Sequence, residues 1–161
     1  MPNLISNTSP IQYLYQTELL DLLPMLYGEV ILPQAVVNEL AEGGRLGVSL
    51  PDITVLPWVN IRQPRDLLIL SPVADILGAG EQEAIALAVE IPDSLVILDD
   101  GLARRYAKTL GVQFTGTLGV ILKGKQSGYL SEIMPVLDRL DSLGFRLDSS
   151  TRASVLRLAG E

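Results

Sequence analysis

The sequence predicts an α/β fold, a central parallel sheet with helices over both of its faces. Three observations point there. The strand candidates are short and continuously apolar rather than alternating, the pattern of strands buried on both sides. They alternate with amphipathic helical segments along most of the chain, which demands right-handed crossovers between parallel neighbours. Glycine and proline punctuate the junctions at positions where helices start and stop.

The elements follow in order. Leu4 and Ile5 form a short strand that runs into Asn7-Thr8-Ser9-Pro10, where capping residues precede a proline suited to a first helical turn. Thr17 and Glu18 open a second helix over residues 19–26, rich in leucine, closed by Gly28 and with Pro24 as a potential breaker. Val30, Ile31 and Leu32 make a second strand. Pro33 starts a helix over 34–42 with Val36, Val37 and Leu40 inward, Glu39 beside that stripe, and Gly43-Gly44 as its stop.

Between Arg45 and Ser71 the pattern weakens, and Pro51, Pro57 and Pro64 leave only 53–56 as a small extra strand. Residues 81–91 then read as a helix closed by Pro92-Asp93, followed by a buried strand over 95–98. Asp99 and Asp100 stand at its carboxyl end, ahead of a helix over 102–110 that ends at Gly111. A strand over 112–114, a helix capped by Thr117 and reaching about Lys123, a helical stretch within 130–143, and a last helix capped by Ser149 or Ser150 and ending at Leu158 complete the chain.

Composition narrows the chemistry. A chain of 161 residues, 48% hydrophobic and 19% charged, suits one domain over 1–161 with its own core. Cysteine and histidine are both absent, so disulfides, thiolate sites and imidazole catalysis are excluded, leaving carboxylates, amides, hydroxyls and cations. The net charge of −7 opposes a polyanionic partner at long range, so any nucleic-acid contact needs a local cationic stripe or metal ions. No cationic leader opens the chain and no window approaches the roughly 18 apolar residues of a membrane span, which predicts a cytoplasmic protein.

In a parallel sheet the working crevice lies beyond the carboxyl ends of the strands. Asn7, Glu39 and Asp99-Asp100 fall at those ends or on the flanking helices, and Glu81 adds a carboxylate at a helix start. Two carboxylates about 5 Å apart repel by roughly 3 kcal/mol at an effective dielectric near 20, so a cluster of them invites protons or a hard dication. Oxygen-only ligands suit Mg²⁺ or Mn²⁺, ions that serve phosphodiester cleavage. Each residue also has a plainer role: Glu81 complements a helix dipole, Asp99 and Asp100 can cap a turn or helix, and Glu39 can be a solvated helix carboxylate. Glu83 and Glu90 read as ordinary exposed charges, and Gly78-Ala79-Gly80 as a helix-entry turn.

Five segments carry a resemblance: Ser6-Asn7-Thr8-Ser9-Pro10; Tyr27-Gly28-Glu29-Val30 leading to Val37-Asn38-Glu39-Leu40; Gly78-Ala79-Gly80-Glu81-Gln82-Glu83-Ala84-Ile85; Leu98-Asp99-Asp100 with Ala103-Arg104-Arg105; and Thr115-Gly116-Thr117-Leu118-Gly119. Together they resemble the PIN-domain branch DUF3368 over nearly the whole chain. That resemblance implies a three-layer α/β/α sandwich and a Mg²⁺ or Mn²⁺ site. It also implies RNA cleavage, often as the toxin partnered by an antitoxin protein, and a homodimer. Carried over by position, the metal set falls on Asn7, Glu39, Glu81 and Asp99, with Asp100 adjacent to the catalytic group. Thr8, Ser9, Thr115 and Thr117 become supporting hydroxyls. Asn7 stands where the pattern usually has aspartate, and an amide keeps an acceptor oxygen but forfeits charge.

The expected function is therefore a metal-dependent endoribonuclease. The alternative is a catalytically weakened module that binds antitoxin or RNA. Arg104, Arg105 and Lys108, with Lys123 and Lys125, are the best cationic group for phosphate contact.

Overall fold

The computed structural model describes all 161 residues. Strand β1 (Asn3–Ser6) is followed by helices α1 (Thr8–Gln16) and α2 (Leu22–Tyr27), strand β2 (Val30–Pro33) and helix α3 (Gln34–Arg45). After strand β3 (Val59–Arg62) come helix α4 (Ala79–Glu90), strand β4 (Ser94–Ile97), helix α5 (Gly101–Thr109) and strand β5 (Phe114–Thr115). Helices α6 (Thr117–Gln126), α7 (Met134–Ser142) and α8 (Ser149–Leu158) close the chain.

The five strands are all parallel, in the order β3-β2-β1-β4-β5. Successive residues of a strand face opposite sides, so the continuously apolar strands serve two cores at once. Leu4, Val30, Leu32 and Ile97 pack on one face with Ile11, Leu14, Leu23, Val36, Ile121, Leu137 and Leu140. Ile5, Ile31, Val96 and Leu98 pack on the other with Ile85, Leu87, Ala103 and Ala107. Helices on both sides of one sheet make the α/β/α sandwich expected. A one-residue slip of β1 would exchange Leu4 and Ile5 between the cores, so packing pins its register and, with it, the position of Asn7.

The chain reverses its direction of winding between β1 and β4. Strands β2 and β3 lie to one side of β1, whereas β4 and β5 lie to the other. Loops leaving adjacent carboxyl ends there diverge, and a crevice opens between them. Asn7 and Asp99 stand at its two lips.

Several local expectations need correction. Residues 53–56 are not a strand: Ile53–Val55 is a 3₁₀ turn, held by the Asp52 carboxylate accepting from Thr54 N at 3.0 Å and Thr54 Oγ1 at 2.6 Å. The real edge strand is β3, mostly exposed and therefore without an apolar signature. Thr17 and Glu18 close α1 rather than open α2, with Glu18 in the left-handed region at φ 61°. Because α2 begins only at Leu22, Pro24 lies in its first turn, where no intrahelical N–H is required. Helix α3 continues through Gly43-Gly44 to Arg45.

Helix α6 extends to Gln126, and Thr117 is its first residue rather than its cap. The cap of α8 is Asp148, accepting from Thr151 N at 2.7 Å, not Ser149 or Ser150. The residues before Met134 stay outside α7, which Pro135 helps to start. Strand β5 covers Phe114–Thr115, slightly later than expected, and Leu68–Val73 adds a 3₁₀ segment that no periodicity marked.

Candidate active site

Asn7 occupies the N-cap position of α1 yet makes no capping bond with its side chain. It is only 7% exposed. Its backbone is tied to the neighbouring strand, Asn7 N donating to Ile97 O at 3.3 Å, and Ser6 Oγ donates to its carbonyl at 2.9 Å. The amide group is thus spared from helix capping and turned toward the start of α4. A Cβ built on Gly80 would lie 3.0 Å from Asn7 Oδ1 and in collision with Glu39 Oε1. Only a glycine at this position lets both oxygens close on the first turn of α4.

Glu39 comes to the same point from α3, whose buried Val36 and Leu40 fix the helix against the core. Its carboxylate accepts from Thr8 Oγ1 and from Gly80 N, the latter at 3.2 Å. Three elements, α1, α3 and α4, therefore meet through one side chain. Glu81 follows directly and accepts from Gly78 N at 3.0 Å. Burial pushes its carboxyl above the ordinary value; the Gly78 hydrogen bond opposes that, while the negative charges of Asp100 and Glu39 reinforce it. Glu81 thus sits in the field of both neighbours.

The other lip is built differently. Asp99 Oδ1 accepts from Thr117 N at 2.8 Å and Oδ2 from the buried Thr117 Oγ1 at 2.6 Å, so α6 begins against this carboxylate. Asp100 caps α5 by accepting from Ala103 N at 2.8 Å, leaving its other oxygen uncommitted. Arg104 donates from Nε to Leu98 O at 2.6 Å and lies 5.3 Å from the centre of the Phe114 ring.

The structure brings Asn7, Thr8, Glu39 and Glu81 together at the start of α4, with Asp100 within electrostatic reach. Asp99, Thr115 and Thr117 gather at the start of α6, where Thr115 lines a cavity with Asp99 and Arg104. No three carboxylates lie close enough to enclose a single ion by themselves. Ser9 is half-buried in α1, while Arg105 and Lys108 are exposed on α5. Glu83, read as a plain surface charge, instead accepts from Ala35 N at 3.0 Å and ties α4 to the start of α3. Glu90 likewise accepts from Arg65 N at 2.7 Å. Arg146, which also lines the Asp99 cavity, carried no motif and was missed. A larger groove of about 650 Å³, lined by Tyr15, Glu18, Asp21 and Asp52 among others, lies apart from these residues.

A family model described as DUF3368: PIN domain matches residues 3–161. The chain belongs to this PIN-domain family. Its fold is accordingly of nuclease type, and no helix of this PIN domain is long and apolar enough to cross a membrane.

The donors of this PIN domain suit a hard dication in kind. They are all oxygens, and Mg²⁺ is commonly held by one or two carboxylates with several waters and substrate phosphates rather than by an all-protein cage. A glycine that keeps the space between Asn7 and Glu39 clear, and a glutamate raised chiefly by burial with two like charges adding to it, fit a site whose charge a cation would relieve.

Proposed function

We propose that this PIN domain is a divalent-metal-dependent endoribonuclease. The reading rests chiefly on the crowding of Asn7, Glu39 and Glu81 around Gly80 at the switch point of the sheet. Glu39 and Glu81 would hold Mg²⁺ or Mn²⁺, with Asn7 as a neutral oxygen donor and Asp99 or Asp100 reaching in from the opposite lip. The ion supplies charge stabilisation to the phosphoryl oxygens and makes water easier to deprotonate. Thr8 orients Glu39, Thr117 orients Asp99, and Glu81, whose carboxyl is raised chiefly by burial, would gain most from a cation that favours its charged form.

The test is incubation of purified protein with single-stranded RNA and Mn²⁺. Cleavage should vanish with EDTA and fall at least about 100-fold in Glu39→Ala. Unchanged cleavage in Glu39→Ala and in Asp99→Ala would remove the assignment. A toxin role beside an antitoxin protein, a homodimeric state and a cytoplasmic location extend the same proposal. An adjacent gene encoding a small DNA-binding protein would support the first, and light scattering would report the second.

A second reading, a binding module with weakened catalysis, is favoured by the amide at Asn7 and by the lack of three convergent carboxylates. Asn7→Asp separates the two. A large rise in metal affinity and cleavage marks a weakened enzyme; inactivity of both forms marks a module that works through its surface.

A further inference from the structure

A cavity of about 400 Å³ opens beside Asp99, between the start of α6 and the segment leading to α8. Its walls include Arg104, Arg146, Thr115, Gly116, Gly119 and Thr151. Two features distinguish it from ordinary surface. Although the chain is acidic overall, the two charged side chains that line this space with Asp99 are arginines, and neither forms an ion pair. The ion pairs of the molecule are Arg45 with Glu42, Lys125 with Glu161, and Arg152 with Asp138.

Arg104 is moreover fixed in place. Its Nε is spent on the Leu98 carbonyl and its plane lies near Phe114, while its terminal nitrogen occupies the space that a side chain at Gly116 would fill. Asp99 lies close to this guanidinium, both flanking the point where a side chain at Gly116 would begin, but the two form no ion pair. A pre-positioned, half-buried guanidinium with donors to spare is suited to an oxyanion. Asp99 lines the same cavity, and a carboxylate would repel such a ligand. Both of its oxygens, however, accept from Thr117, which draws its charge toward the first turn of α6.

We infer that this cavity is a phosphate subsite for single-stranded RNA, with Arg104 and Arg146 gripping a backbone phosphate next to the one cleaved. The inference rests on the nuclease reading for the identity of the strand. It differs from the sequence-level expectation that Arg104, Arg105 and Lys108 act as one cationic face. Arg105 and Lys108 are exposed on α5 and do not line the cavity, and Arg146 takes their place.

The test separates binding from cleavage. A fluorescent single-stranded oligoribonucleotide is titrated by anisotropy in EDTA over a range of salt concentrations. Each lost phosphate contact should flatten the slope of log affinity against log salt by about 0.7 and weaken binding alike for unrelated sequences. Arg104 also holds the end of β4, so Arg146, exposed and unpaired, is the decisive position. Arg146→Ala should flatten the slope by that amount, whereas Arg45→Ala, an equal charge change at an ion pair on α3, should not.

Equal slopes in the two variants, or no binding by the unmodified protein, would overturn the subsite. Cleavage with Mn²⁺ is scored separately. Cleaving protein with unequal slopes supports both readings, cleaving protein with equal slopes removes only the subsite, and an inactive protein with unequal slopes removes only the nuclease.

Discussion

Glu39 and Asp99 belong to opposite sides of the switch point, and each is held by one threonine hydroxyl and one amide at a helix start. The similarity ends with where those donors come from. Asp99 takes both from Thr117, so a single residue fixes it wherever α6 goes. Glu39 takes its hydroxyl from Thr8 on α1 and its amide from Gly80 on α4, and it shares the neighbourhood with Asn7 and Glu81. One carboxylate is positioned locally; the other depends on three helices being docked at once. The first tolerates small shifts of the scaffold, and the second converts them into lost geometry.

The largest effect is expected where that dependence is greatest. Gly80→Ala places a methyl group against Glu39 and Asn7, and overpacking of this kind typically costs about 1–3 kcal/mol. Because the displaced atoms are the proposed metal donors, cleavage should fall by at least about 100-fold, more than the stability loss explains while the protein stays folded. Denaturant melts alongside single-turnover cleavage check this. Normal activity in the Gly80→Ala variant would show that Glu39 and Asn7 need not meet there.

The local site should respond more mildly. Thr117→Val removes the hydroxyl from half-buried Asp99 but keeps the amide, and losing that one hydrogen bond should cost about 1 kcal/mol. Thr117→Ser, which restores the hydroxyl, should recover most of that loss. Urea unfolding of the pair measures it, and equal midpoints for the two variants would mean that the hydroxyl contributes nothing to the placement of Asp99.

The same distinction explains what the sequence revealed. Strands β2 and β4 were legible because burial on both faces writes itself into consecutive apolar residues. Strand β3 was not, since it is an exposed edge strand whose place is set by pairing with β2 rather than by its own pattern. Thr17 and Glu18 misled because a capping residue can end one helix as readily as begin another; only the positive φ of Glu18 decides between them.

For the site, Asn7, Glu39, Glu81 and Asp99 stood out by their positions at strand ends and by the family pattern. The links that organise them did not stand out. The bond from Thr8 to Glu39 spans 31 positions and that from Gly80 to Glu39 spans 41, beyond any local rule. Arg146 was silent because it belongs to no motif and joins Arg104 only through the fold.

The smallest effect concerns charge alone. In the folded protein Glu81 holds its proton more tightly than an ordinary glutamate, because burial and then the charges of Asp100 and Glu39 outweigh the hydrogen bond from Gly78. A carboxyl raised on folding opposes folding once it must ionise. That penalty is absent below the unfolded value of 4.5, grows as pH rises through the window up to the raised value, and is complete above it. Glu81→Gln keeps an oxygen to accept from Gly78 N and removes the charge. In metal-free buffer it should therefore melt higher than the unmodified protein at about pH 7, with the difference closing at about pH 4. Added Mn²⁺ should shrink or reverse the gap, because the glutamate form alone gains an ionic partner. Lower stability of the Glu81→Gln variant at both pH values would mean that Glu81 is a structural cap first, and that the crowding around Gly80 stores no charge for a cation to relieve.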